Sequence, residues 1–198
     1  MIRVVVPAYN EGANLPGLLN RLQAALGERP YRVIIVNDGS QDDTRQVAES
    51  LAKAHPVDCV SHPVNRGIAA VFLPGIRAAL EGAADDDPVV IMEGDGTSDP
   101  AILPAMLEAF GGGADIVIAS RYLPGGEHRR FPLKRLILSH GANALLRLVC
   151  RLSGVTDYTI FYRAYRAGVL KQGITTHGDA LTSVGGFACN AEMLLRLS

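Results

Sequence analysis

The sequence predicts an α/β fold, a mostly parallel sheet with helices on both faces. Short apolar runs alternate with longer helix-like stretches in a βαβαβαβαβ order through the first 120 residues. Three of those runs lead into polar and acidic segments: Pro7-Ala8-Tyr9-Asn10-Glu11, Val36-Asn37-Asp38-Gly39-Ser40 and Glu93-Gly94-Asp95-Gly96-Thr97. All three lie at the carboxyl ends of strands, where open α/β sheets bind ligands. With 198 residues and 48% hydrophobic content, one buried core can form, so 1–198 reads as a single domain. The pattern suits a nucleotide-like ligand.

Strands are expected at 2–6, 32–37, 57–61, 88–92 and 115–119, and helices at about 13–26, 43–54, 67–81 and 100–110. Asp42 or Asp43 can cap the second helix, and Asp99 before Pro100 forms an N-cap with proline in the first turn. Pro74 should kink or divide the third helix. After Ser120 the alternation stops. A loop from Leu123 through Arg130 leads to an amphipathic helix opened by Pro132 and running to about Leu152, whose Leu145–Leu152 stripe reads as core. Phe161 to Tyr165 suits a short strand, and the Gly- and Thr-rich stretch 172–186 reads as a mobile loop. Cys189 to Leu197 has helical spacing and ends without a cap.

Composition narrows the classes. Cys59, Cys150 and Cys189 are odd in number and widely spaced, so neither a disulfide framework nor a zinc site is indicated, and a reducing, cytoplasmic setting is expected. The amino terminus enters a strand at once, with no room for a secretory leader. The most apolar stretch, Leu136 to Val149, is broken by Ser139, His140, Asn143 and Arg147, so no membrane span is expected. The net charge of −1 hides an asymmetry: residues 1–120 carry 16 acidic and 8 basic side chains, residues 121–166 carry 2 and 9. The basic segment suits an anionic partner, and Arg129, Arg130 and Lys134 suit a solvated loop or a membrane surface. No nucleic-acid partner is expected.

Glu93, Asp95 and Thr97 alternate along an extended segment, so their oxygens can aim at one point and suit Mg²⁺ or Mn²⁺; acidic turns and N-caps produce the same spacing. Asp38 stands where dinucleotide folds place an acid on a ribose hydroxyl, and Asn37-Asp38-Gly39-Ser40 is equally good turn chemistry. Neither GxGxxG after the first strand nor GxxxxGK[ST] occurs, which excludes a nicotinamide site of that kind and a P-loop. The five histidines share no spacing and read as surface or capping residues. Asp157 suits orienting Arg163, contacting a donor sugar, or capping a strand start.

Together with Asn65-Arg66-Gly67, Ser120-Arg121-Tyr122, Asn143, Asp157-Tyr158-Thr159 and Phe161-Tyr162-Arg163-Ala164-Tyr165-Arg166, these motifs resemble the inverting glycosyltransferases of the GT-A fold, family two, and most closely the dolichyl- or polyprenyl-phosphate mannosyltransferases. The resemblance implies a nucleotide- and metal-binding half, 1–120, and an acceptor-binding half, 121–198. Pro7, Tyr9, Glu11, Val36, Asp38, Asn65 and Gly67 would hold the nucleotide. Glu93, Asp95 and Thr97 would hold a divalent ion, and Arg121, Arg135 and Ser139 the acceptor phosphate, with Glu93, Asp95 and Arg121 as the catalytic set. The implied reaction moves a hexose, mannose from GDP-mannose, onto a polyprenyl phosphate with inversion, by a peripheral enzyme on the cytosolic membrane face. UDP-glucose as donor, a different acceptor, a non-catalytic nucleotide-sugar binder and a peripheral membrane scaffold are the alternatives. Glu93 stands where the family has Asp, Thr97 where it often has Gln, and Ile160-Phe161 where it has a Ser-Gly pair. Family chains also run on to a further strand, so the carboxyl end here is expected to be cut short.

Overall fold

The fold was taken from a computed structural model, which describes residues 1–123, 133–186 and 188–198, with only the backbone for 133–140. β1 (Ile2–Ala8) lies between β2 (Tyr31–Asp38) and β4 (Pro88–Ile91), parallel to both, and β3 (Val57–His62) extends the parallel set beyond β2. The six-stranded order is β3-β2-β1-β4-β6-β5. β1 is apolar at nearly every position because both its faces are covered. Val4, Val6, Val33 and Ile35 point into one core layer, Val5, Ile34 and Val36 into the other.

α1 (Leu15–Leu26) buries Leu15, Leu18, Leu19, Leu22 and Leu26, a helical stripe that fills the first layer with Leu103 and Met106 of α4 (Leu103–Gly111). α2 (Thr44–Leu51) packs its Ala48 into the same layer. Its start is bonded by Asp42, whose Oδ1 accepts from the Thr44 amide at 3.0 Å. α4 is preceded by a 3-10 turn, Pro100–Ile102, where the Asp99 side chain caps the Ala101 amide at 3.0 Å.

α3 (Ile68–Leu80) covers the second layer through Val71, Phe72, Ile76 and Ala79. Pro74 does not divide it. The next residue, Gly75, lets the helix sit directly on the sheet, since a Cβ there would lie 2.6 Å from Val5 Cγ1 and 2.8 Å from Val36 Cγ2.

The second half departs from the expected order. β5 (Ile116–Ile118) is not the neighbour of β4; β6 (Arg163–Arg166) lies between them, antiparallel to both. The stretch expected as a mobile loop from 172 forms most of α6 (Ala167–His177) and a 3-10 turn, Gly178–Thr182. Gly173 is a packing residue there, because a Cβ would meet Leu197 Cδ2 at 2.3 Å. α7 (Ala188–Arg196) buries Cys189, Met193 and Leu194.

α5 (Leu133–Cys150) matches the expected helix, with Pro132 outside the described residues. Its stripe is not core. Leu145, Leu148 and Val149 are 61%, 65% and 69% exposed, while Asn143 is buried. Asn143 turns inward because it finds partners there on 157–159, while Arg147, at the surface, donates from Nε to the Thr156 carbonyl at 3.1 Å.

Candidate functional site

Because β2, β1 and β4 are adjacent and parallel, their carboxyl ends open onto one cleft of about 440 Å³. Pro7 lines it at the end of β1 with Tyr9 and Glu11 just beyond, Asp38 at the end of β2, Asn65 and Gly67 before α3, and Glu93 and Asp95 after β4. Ala8, Ile68 and Val71 supply an apolar patch, and Gly186 contributes from the distant carboxyl half. Tyr9 is 41% exposed, an aromatic face offered to the cleft.

The loops are laced together. Asn10 takes a left-handed conformation, φ 57°, which turns the chain after β1; its amide donates to Ser40 Oγ at 3.0 Å, and its Oδ1 accepts from the Gln41 amide at 2.8 Å. The Glu11 amide donates to Thr44 Oγ1 at 2.7 Å. Glu11 thereby faces Asp42 and Asp95. Burial raises its carboxyl above the ordinary range against the Asn14 hydrogen bond, and the charges of Asp95 and Asp42 raise it further.

Asp38 is nearly buried and holds the 64–67 loop. Its Oδ1 accepts from the Arg66 amide at 3.0 Å and lies 2.8 Å from His62 Nδ1, while Oδ2 accepts from the Gly67 amide at 2.8 Å. Gly39, at φ 64°, makes room for that loop; a Cβ would sit 2.3 Å from the Val64 carbonyl carbon. The sequence offered a ribose contact or a turn for Asp38, and the folded residue lines the cleft while bonding the loop. His62 was passed over as a surface residue. The signal was its register, since His62 ends β3 directly opposite Asp38 at the end of β2.

Glu93 and Asp95 occupy the floor. Glu93 Oε2 accepts from Ser98 Oγ, a partner sequence reasoning did not select. Burial pushes the Glu93 carboxyl up, the Ser98 bond opposes this, and the charge of Asp95 adds to the rise while that of Arg121 counters it. Asp95 is exposed, and its Oδ1 accepts from the Thr97 amide at 2.9 Å and from Thr97 Oγ1 at 2.6 Å. Thr97 thus braces Asp95 instead of lining the cleft.

Val36 is not at the site. It ends the apolar run of β2 in the second core layer, fully buried, and only the residues after it reach the cleft. Arg121 lies beside the cleft, close enough to Glu93 for each charge to act on the other, and is bound to Asp157: Nε to Oδ2 at 2.9 Å and Nη2 to Oδ1 at 3.1 Å. Asp157 therefore orients Arg121; towards Arg163 it offers only its backbone carbonyl, at 3.5 Å. Positions 135 and 139 lie on α5, with the side chains of Arg135, Ser139 and Lys134 outside the described residues, as are Arg129 and Arg130.

Residues 3–174 match glycosyl transferase family 2. The polyprenol monophosphomannose synthase of Mycolicibacterium smegmatis is 37% identical over 171 residues, 85% of this chain and 63% of that protein. The dolichol-phosphate mannosyltransferase of Pyrococcus furiosus is 33% identical over 196 residues, 98% of this chain and 52% of its own length. The undecaprenyl-phosphate mannosyltransferase of Micrococcus luteus is 36% identical over 196 residues and covered to 76%. The chain thus spans less than two thirds of the first two relatives. Among solved structures, glucosyl-3-phosphoglycerate synthase from Mycobacterium tuberculosis, in complex with Mn²⁺, UDP and glucosyl-3-phosphoglycerate, superposes with a TM-score of 0.66 at 20% identity, over 98% of this chain and 63% of that one. That likeness is one of fold, and with the family match it closes the assignment: the chain belongs to glycosyl transferase family 2.

Proposed function

We propose that the protein transfers mannose from GDP-mannose to a polyprenyl phosphate, with inversion at the anomeric carbon, at the cytosolic face of a membrane. The observation that carries the reading is the convergence of Tyr9, Asp38, Asn65, Glu93 and Asp95 on one cleft with Arg121 beside its floor. The mannosyl donor and the lipid acceptor follow the relatives' names.

Tyr9 and the apolar patch suit a base, Asp38 and Asn65 a ribose. The donor set fits a divalent ion, Mg²⁺ or Mn²⁺: Asp95 is exposed, Glu93 lies next to it, and both are hard oxygen donors. When bound, such an ion neutralises the departing nucleotide. Arg121 would supply the charge that meets the acceptor phosphate, and Asp157 holds that guanidinium in plane. A phosphate monoester, with a second pKa of about 6, is already anionic at neutral pH, so its oxygen attacks without a general base. Attack from the face opposite the leaving group gives inversion.

One feature supports work at a membrane surface: α5 turns Leu145, Leu148 and Val149 outward beside Arg147 and Arg151. The test is incubation with polyprenyl phosphate, Mn²⁺ and radiolabelled GDP-mannose or UDP-glucose. Label from GDP-mannose in the lipid phase is expected; label from UDP-glucose alone would overturn the donor. A second reading, a nucleotide-sugar binder without turnover, draws on the longer Glu93 side chain and its Ser98 bond; nucleotide binding indifferent to Mn²⁺, with no transfer, would favour it.

A further inference from the structure

Asp157 is fully buried in a protein whose reaction gives it no direct role. Its Oδ1 accepts from Asn143 Nδ2 at 3.2 Å, from the Thr159 and Ile160 amides at 3.0 and 3.1 Å, and from Thr159 Oγ1 at 3.1 Å, in addition to Arg121 Nη2. Burial alone would raise this carboxyl; the hydrogen bond and charge of Arg121, then Asn143, overcome it and hold the group at about 2. It is a permanent anion at physiological pH.

Asn143 and Thr159 close the network. Asn143 Oδ1 accepts from the Tyr158 amide at 2.7 Å, and its Nδ2 also reaches Thr159 Oγ1 at 3.3 Å. Thr159 Oγ1 accepts from Arg121 Nη2 at 2.7 Å. Three segments meet here: the chain after β5 that carries Arg121, the loop before β6 that carries Asp157 and Thr159, and α5 through Asn143. Along α5, steps of four put positions 135, 139, 143 and 147 in one row. Asn143 and Arg147 tie the far end of that row to the 156–159 loop, which sets the rotation of the helix about its axis.

We infer that Asp157, Asn143 and Thr159 are positioning residues: together they fix the plane of the Arg121 guanidinium and the rotation of α5, so that the acceptor half of the site is preassembled as one unit. The inference rests on the reading that Arg121 receives the acceptor phosphate. Asp157 cancels the charge of Arg121, so what Arg121 contributes there is direction more than net attraction. A Lys cannot bond both Asp157 and a phosphate in one plane.

The test uses Thr159→Val, which keeps the side chain's shape and removes its hydroxyl, with Thr159→Ser as the rescue. Thr159→Val is expected to raise the KM for polyprenyl phosphate about tenfold, as loss of hydrogen bonds to a charged group does, with the KM for sugar nucleotide and the Tm nearly unchanged. Thr159→Ser returns the acceptor KM to within about twofold of the original. A Thr159→Val enzyme with unaltered acceptor KM, or with both KM values shifted alike, overturns the inference. Solvent exchange of the Arg121 Nε–H, followed by NMR, separates its fate from that of the transferase reading: slow exchange in the unaltered protein that quickens about tenfold or more in Thr159→Val or Asp157→Asn upholds positioning even if no transfer occurs. Equal exchange rates sink it whether or not the protein is a transferase.

Discussion

Two acidic clusters lie at opposite ends of the sheet. At the amino ends of β1 and β4, Asp85, Asp86 and Asp87 stand in a row, and each has its own cation: Lys171 Nζ at 2.7 Å, Arg166 Nη1 at 2.8 Å, and for Asp87 both Arg3 Nη1 at 3.2 Å and the terminal amine of Met1. At the carboxyl ends, Glu11, Asp42, Glu93 and Asp95 form no ion pair within 4 Å among the described residues; burial and neighbouring carboxylates raise Glu11 and Glu93, while the hydrogen bond from Thr44 holds Asp42 low. The pKa directions separate Asp87 from the two glutamates of the cleft. Asp87 sits below its ordinary value, because the terminal amine and the Ala84 amide, with a smaller part from Arg3, outweigh its burial, whereas Glu11 and Glu93 sit above theirs. What distinguishes the cluster proposed to act is charge left without an ion pair at a cleft.

The largest effect should come from the carboxyl-end cluster. Asp95→Asn is expected to cut the rate of transfer by at least about 100-fold, the loss typical of one group stabilising developing charge, with Tm unchanged. Comparable rates in the variant would erase the distinction between the clusters.

At the amino end the expected loss is of stability. Asp87→Asn leaves Arg3, 1% exposed, without its partly exposed counter-ion, which should cost about 3 kcal/mol in denaturant unfolding while transfer per folded molecule stays the same. Asp86→Asn removes a pair whose carboxylate is 89% exposed and should cost less than about 1 kcal/mol.

The pH dependence of Tm sharpens the comparison next. Asp157 has a folded pKa of about 2, below the ordinary 3.8. Its contribution is whole above 3.8 and disappears as pH falls through 2, because the unfolded chain then binds the proton more readily. Tm should fall across that window, and less steeply in Asp157→Asn; identical slopes would contradict the assignment. The smallest effect is expected at His62. His62→Gln loosens the seat of Asp38, so GDP affinity should drop about fivefold by calorimetry, in line with one hydrogen bond, with kcat held.

Most of the first half was legible because its information is local. The runs Ile2 to Val6 and Arg32 to Val36 are buried on both faces, and the polar residues after each strand must emerge at the carboxyl edge. Val36 shows the limit of reading a motif as a block, since its place in the strand sends it to the core. The second half depends on long-range pairing. β6 enters between β4 and β5 from more than 40 residues downstream, Asp157 meets Arg121 across 36 residues, and His62 meets Asp38 across 24. α6 was hidden by Gly173, which reads as a breaker until Leu197 is seen filling its place. α5 misled in the opposite sense: its apolar stripe suggested core, yet the hydrogen-bonding needs of Asn143 decided which face turned inward.

The claim that unbalanced carboxylates at 93 and 95 await a cation with a nucleoside diphosphate is tested most directly by titration calorimetry with GDP, in Mn²⁺ and again in EDTA. The expected result is that removing the metal weakens binding at least about tenfold in the unaltered protein and leaves the already weak binding of Asp95→Asn unchanged. GDP binding equally tight with and without Mn²⁺ would contradict it.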